Sequence, residues 1–182
     1  SRPDAEGLAR LRLDVLRDTV VDISGTGKLS TQQAGIEQPN VGSKRALILD
    51  YRSAIGVTQT VGRLSFWLKG GIARTEYGSL ALAAGSTVDQ TDRNVTAFEA
   101  RLRTGYELSP AIQPFVETTI DHRVRDTALD SAGFRRNSMG TAVRAGATLA
   151  FSELLTGEVS AGYGWRDYDD PRLATVGAAL LD

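Results

Sequence analysis

The feature that most constrains this fold is a strict alternation of apolar and polar residues, sustained for a dozen positions at a time and repeated in pairs. A period of two marks a strand with two unlike faces. Ala9, Leu11, Leu13 and Val15 oppose Arg10, Arg12 and Asp14, and after Arg17-Asp18 the figure resumes with Val21, Ile23, Gly25, Gly27 and Leu29 against Asp22, Ser24, Thr26 and Lys28. Leu47 to Val57 oppose Asp50 and Arg52, and Leu64 to Ile72 oppose Ser65, Trp67 and Lys69. Phe98 to Leu108 oppose Glu99, Arg101, Arg103 and Glu107, and Ile112 to Val124 oppose Gln113, Glu117, Asp121 and Arg123. Met139 to Phe151 oppose Arg144 and Thr148, and Leu155 to Trp165 oppose Glu158, Ser160 and Arg166. These runs predict four long hairpins over about residues 9–33, 44–74, 95–125 and 136–168, with a further strand beginning over 173–182.

The connections alternate in kind. Tight turns fall near Asp18, Val61, Pro110 and Glu153, whereas the joins at 34–43, 75–93 and 126–135 are long and polar. Short turns on one rim and long loops on the other are the arrangement of a transmembrane barrel. The turns recur at roughly 43 to 49 residues, close to a propeller repeat, but a blade spends that length on four short strands rather than two long ones. A soluble two-sheet sandwich could carry the same alternation, yet its strands run to about 5 or 6 residues. Apolar faces about six alternate residues long match the roughly 9 to 11 residues that a tilted strand needs to cross a bilayer. Nineteen glycines, many within the runs, suit the close backbone approaches of a closed wall. A helix over 7–17 is excluded by the positions of Ala9, Leu11, Leu13 and Val15, which follow period two. Residues 1–6 read as a cut or frayed end.

Composition narrows the chemistry. With no cysteine and a single histidine, His122, the chain offers no disulfide, zinc thiolate or imidazole cluster. His122 reads as an outward residue near the rim, and no nucleophile and base pair supports an enzyme. A formal charge of -1 gives no electrostatic case for nucleic acid. Gly25-Thr26-Gly27-Lys28 lacks the phosphate-loop frame and lies within a strand. Asn94-Val95-Thr96 matches a glycosylation sequon by chance. Asp167, Asp169 and Asp170 lack calcium-loop spacing and read as a solvated loop. No cofactor and no metal are expected.

The candidate site is the polar face. Arg10, Arg12, Asp14, Lys28, Asp50, Arg52, Lys69, Glu99, Arg101, Arg103, Glu117, Asp121, Arg123, Arg144, Glu158 and Arg166, together with Asp22 and Glu107, are expected to line a lumen with both signs interspersed. They read either as a transverse field acting on polar solutes or as a ladder of cross-strand ion pairs. Phe98, Tyr106, Phe151, Tyr163, Trp165 and Tyr168 are expected to form aromatic girdles at the two bilayer interfaces. In GYGWRDYDDP, residues 162–171, alternation sends Tyr163 and Trp165 to lipid and Gly162, Gly164 and Arg166 to the lumen, with residues 167–171 as the bend beyond.

Residues 130–138, DSAGFRRNS, followed by AVRAGATL at 142–149, LTGE at 155–158 and GYGWRDYDDP, resemble the outer-membrane β-barrel porin family of Gram-negative bacteria, of the beta-barrel porin 2 type. The resemblance is strong over about 121–182 and one of pattern before that. It implies an all-β, antiparallel, up-and-down transmembrane barrel, of which the 182 residues would be an incomplete segment of about eight or nine strands. It implies location in the outer membrane, contact with lipid and lipopolysaccharide, and passage of polar solutes or a part in an export pathway. Other envelope proteins or further copies of the chain are possible partners on this reading. The rivals are a non-conducting anchoring barrel and a soluble β-rich binding module.

Overall fold

The computed structural model describes residues 4–31, 47–81, 87–151 and 155–181. Its eight long strands are β1 Ala5–Leu16, β2 Thr19–Thr31, β3 Leu47–Val61, β4 Leu64–Tyr77, β7 Val95–Tyr106, β8 Ile112–Arg125, β9 Ser138–Ala150 and β10 Thr156–Tyr168. A shorter β11, Val176–Leu181, follows, and a two-residue ribbon, β5 Leu80–Ala81 with β6 Thr87–Val88, sits between β4 and β7 ahead of a 3-10 turn at Thr91–Arg93. The nine main strands form one antiparallel sheet in which every strand neighbours the next in sequence, from β1 to β11. Antiparallel neighbours in sequence order need only hairpin connections, here short and long in alternation.

The long strands run for 12 to 15 residues, more than a bilayer crossing requires. The first strand starts at Ala5, with Glu6 opposite Lys28, so Ala5 and Glu6, expected to belong to a frayed end, are part of the ladder. The turn between β3 and β4 is Gly62-Arg63, with Gly62 at φ 61°, a value that suits a residue without Cβ. The turn expected near Glu153 lies partly outside the described residues. The long polar join at 75–93 is not bare loop, because β4 continues to Tyr77 and the β5–β6 ribbon and the 3-10 turn follow it in sequence.

Register carries the two faces across the whole sheet. One continuous row runs Leu11, Ile23, Ile55, Gly70, Ala100, Ile120 and Thr141 to Trp165, each pair in direct cross-strand register. The next row out on the same face includes Val21, Val57, Leu68 and Leu102. These residues are exposed: Leu68 is 54% accessible, Ile55 52%, Val116 52% and Tyr163 54%. Among the described residues the buried apolar side chain is Phe115 alone, at 5%. Water-soluble sheets bury their apolar face, since hydrophobic burial is the dominant favourable term in folding. This sheet instead presents that face outward and is a wall rather than one side of a core.

The apolar band has a defined end. On β4 the outward positions read Leu64, Phe66, Leu68, Gly70 and Ile72 and then turn to Arg74 and Glu76. Arg74 donates from both terminal nitrogens to Asp126 at 2.8 and 2.7 Å, from Nε to Glu76 at 2.7 Å, and to Thr96 at 2.8 Å. The fork-to-carboxylate geometry is the strong form of an ion pair and sits where the wall leaves the apolar layer. The sequence signal for it was an arginine and an aspartate each one alternate step beyond an apolar run.

Candidate functional site

The polar face gathers its charges on β7 to β10. Glu117 of β8 is the centre: its carboxylate is 3% exposed and has Arg144 Nε at 3.0 Å, Arg103 Nε at 3.6 Å and Arg101 Nε at 3.8 Å. Arg103 also donates to Glu158 at 2.6 Å, and Arg101 to Glu99 at 3.2 Å. The Nε atoms of Arg101 and Arg103 and Glu117 Oε2 make no hydrogen bond among the described residues. Charge rather than hydrogen bonding therefore holds that part of the cluster. Three guanidinium groups around one buried carboxylate leave a local excess of positive charge, which Glu99 and Glu158 offset from either side.

A second cluster lies toward the long loops. Arg166 Nη2 of β10 reaches both oxygens of Asp121 at 2.6 and 2.7 Å, and its Nη1 donates to Ser138 at 3.0 Å. Arg123 Nε lies 3.2 Å from the same carboxylate. Glu99 stands directly opposite Asp121, a repulsive pairing that Arg101, Arg123 and Arg166 relieve.

Beside the Glu117 cluster the wall is built in layers. Gly146 of β9 is paired with Phe115, a Cβ there would lie 2.8 Å from the Phe115 ring, and the Arg103 guanidinium stacks over that ring at 3.5 Å from its centroid. The glycine lets the ring lie flat, the ring supports the cation, and the cation reaches two carboxylates. Charged side chains thus spread along the wall instead of projecting from it.

The remaining residues of the expected polar face fall on the same register. Arg10, Arg12, Asp14, Lys28, Asp50, Arg52 and Lys69 alternate with the exposed apolar set on β1 to β4. Arg12 and Asp14 lie 3.5 Å apart and are largely exposed, and Lys69 stands opposite Arg101. On the opposite face Phe98 is 46% exposed, Tyr106 42% and Trp165 39%, and Tyr163 stacks on Trp165 with centroids 6.4 Å apart. Phe151 is exposed at the tight-turn end of β9. His122 shares this register, opposite Phe98 and Met139.

Two expectations are corrected. Tyr168 is not on the girdle side: it pairs with Ser138, two residues from Arg166 on the polar register, because β10 keeps its alternation through residue 168. Asp170 is not a solvated loop residue. It is 3% exposed and accepts from the backbone N–H groups of Arg135 and Arg172 at 3.0 Å each and from Arg172 Nε at 2.8 Å and Nη2 at 2.6 Å. Arg172 in turn packs over Phe134, 4.5 Å from the ring centroid, and donates to the Gly133 carbonyl. Asp130 caps the same loop, accepting from Ala132 and Phe134 N–H at 2.9 Å.

Arg172 foremost, with the Arg135 N–H, holds the Asp170 carboxyl far below the ordinary carboxylate range. Arg172 is correspondingly raised by Asp170, and the Phe134 N–H and then Arg136 lower Asp130. A carboxyl depressed in the folded state contributes its stability above the unfolded value of about 3.9 and loses it only as pH falls below that. The bend after β10 is thus tied to the β8–β9 loop throughout the neutral range.

The two-faced single sheet, with long strands, short turns on one rim and long loops on the other, defines a transmembrane β-barrel wall. The chain belongs to the family described as "Putative beta-barrel porin 2", whose model matches residues 1–182. Among solved structures it is similar to in-vitro folded OmpT, an outer membrane protein of Vibrio cholerae in trimer form, with a TM-score of 0.57 and 15% identity over 97% of this chain and 52% of that one. The chain therefore spans about half the length of that protein. No curated protein sequence matches it. The family places the chain in the bacterial outer membrane.

Proposed function

We propose that this chain forms wall of a water-filled, porin-like channel through which polar solutes cross the outer membrane, its apolar face against lipid and, at the long-loop end, lipopolysaccharide. The observation that carries the reading is the flat lie of the charges. Arg101 and Arg144 are bound to carboxylates on their own or the adjacent strand, while Arg166 of β10 lies over β9 to reach Asp121 of β8 and Arg103 of β7 lies over Phe115 of β8 to reach Glu158 of β10. Side chains held along the wall in this way leave the space in front of it to water, whereas a plugged barrel would spend them on contacts across the lumen. Both signs are interspersed, which suits hydrated solutes of either charge.

Reconstitution of the folded protein in planar bilayers tests the channel. Discrete, ohmic conductance steps are expected, and a protein that inserts and resists heat-free SDS yet passes no current would replace this reading with a non-conducting anchoring barrel.

A further inference from the structure

Besides Phe115, which lies under Arg103, a second large aromatic stands on the polar face. Trp67 of β4 lies between the exposed Phe66 and Leu68 and pairs with Arg103, so its indole is on the charged register rather than in the lipid-facing aromatic set. An aromatic of this size placed among charges forgoes the lipid contact available one residue away. Trp67 is half-buried and borders a recess of about 340 Å³, within the size range of small-molecule sites.

The recess is built around that ring. Thr58 and Ser65 contribute hydroxyls, Gln113 a carboxamide and Phe115 a second aromatic edge. Gly105 forms the floor, where the Gln113 amide donates to Ser65 Oγ at 2.9 Å. A Cβ at 105 would lie 2.6 Å from Ser65 Oγ and 3.0 Å from Gln113 Nε2, so a side chain there would displace both ends of that hydrogen bond. The adjoining cation is already committed, since Arg103 holds Glu158 at 2.6 Å and faces Glu117 at 3.6 Å. What the recess offers is an aromatic face and neutral hydrogen-bonding groups. Lys69 Nζ stands 5.9 Å from the Trp67 ring centroid, the loose end of the cation–π range, and a ligand can displace it.

We propose that Trp67, with Thr58, Ser65 and Gln113, forms a binding subsite on the channel wall for a neutral pyranose sugar. The sugar's C–H face stacks on the indole, whose π face is the negative end of its quadrupole, and its hydroxyls exchange water for the hydroxyls and carboxamide beside it. A free carboxylate or phosphate on the ligand gains little here, because the nearest guanidinium is neutralised. The proposal rests on the polar face being a wetted lumen, and its test reads binding directly so that it does not depend on conductance.

The chain has two tryptophans, so Trp165→Phe leaves Trp67 as the sole indole reporter. In the folded full chain in detergent, titration with maltotriose is expected to quench that fluorescence saturably at millimolar concentration. Saturation-transfer NMR is expected to show the sugar's ring C–H protons against the protein, and Trp67→Leu is expected to weaken that signal at least fivefold while the protein keeps its folded mobility on unheated SDS gels. Absence of saturation, or an undiminished transfer signal in Trp67→Leu, would overturn the proposal. So would binding of trigalacturonate alone that is lost in Arg103→Gln and kept in Trp67→Leu, since that pattern belongs to ion pairing. A conducting protein without sugar binding would leave the channel reading standing, and binding without conductance would fail that reading while upholding the subsite.

Discussion

Glu117→Gln is expected to destabilise the folded barrel by about 3 kcal/mol, the low end of what removing one partner from a buried ion cluster costs. The substitution keeps the shape of the side chain and removes its charge. Arg101, Arg103 and Arg144 then face one another on a wall where their common carboxylate was 3% exposed, and Glu99 and Glu158 each reach only one of them. Urea-driven unfolding in lipid vesicles, followed by the folded band on unheated gels, measures the effect. An unchanged midpoint would show that the three arginines are neutralised by water and salt rather than by Glu117. In the channel reading the same variant raises the local positive charge by one, so reversal potentials in a salt gradient shift toward anions.

Gly146→Ala is the second large effect. The added methyl would meet Ser160 Cβ at 2.6 Å and the Phe115 ring at 2.8 Å, and it would also run into the backbone carbonyl of Val159. A flexible side chain could yield, but a backbone atom in a paired strand cannot move without breaking the β9–β10 ladder. Overpacking of this kind costs about 1 to 3 kcal/mol, and the upper figure is expected because the Phe115 and Arg103 layers above must shift as well. Gly70→Ala is the control: nothing lies within 4 Å of a Cβ there, so its refolding yield should equal that of the parent. Equal yields for both variants would remove the layered packing from the account.

Much of this architecture was legible because the strands are long and their two environments differ completely. Alternation over a dozen residues needs no knowledge of partners, and the polar register of Arg101, Glu117, Arg144 and Arg166 follows from it one residue at a time. What was not legible depends on neighbours across the sheet. Phe115 reads as one more apolar residue among Ile112 and Val116, and only its pairing with Gly146 makes it a lumen-side support for Arg103. Asp170 sits in a run of carboxylates that looks solvated, and its N–H donor at Arg135 is 35 residues away. The β5–β6 ribbon has two residues per strand, too few for any period to register. Residue type puts Tyr168 with the girdle, whereas the alternation of its own strand puts it on the register of Arg166.

The opening of the mouth is also more ordered than its composition suggests. GYGWRDYDDP separates into a lipid-side pair, Tyr163 and Trp165, a polar-face arginine bound to Asp121, and a buried aspartate that fastens the bend to the preceding loop. Each of the three has a structural partner in the wall or the loops.

The central claim is that adjacent residues of one strand face lipid and water in turn. The chain has no cysteine, so single cysteines can be introduced without altering a background. Spin labels placed one at a time at positions 97 to 104 of β7, in protein reconstituted into lipid vesicles, report collision with oxygen dissolved in the bilayer and with a water-soluble nickel complex. The account predicts a period of two: oxygen access at 98, 100, 102 and 104, and nickel access at 97, 99, 101 and 103. Nickel access at both sets alike would contradict it and return this sheet to water.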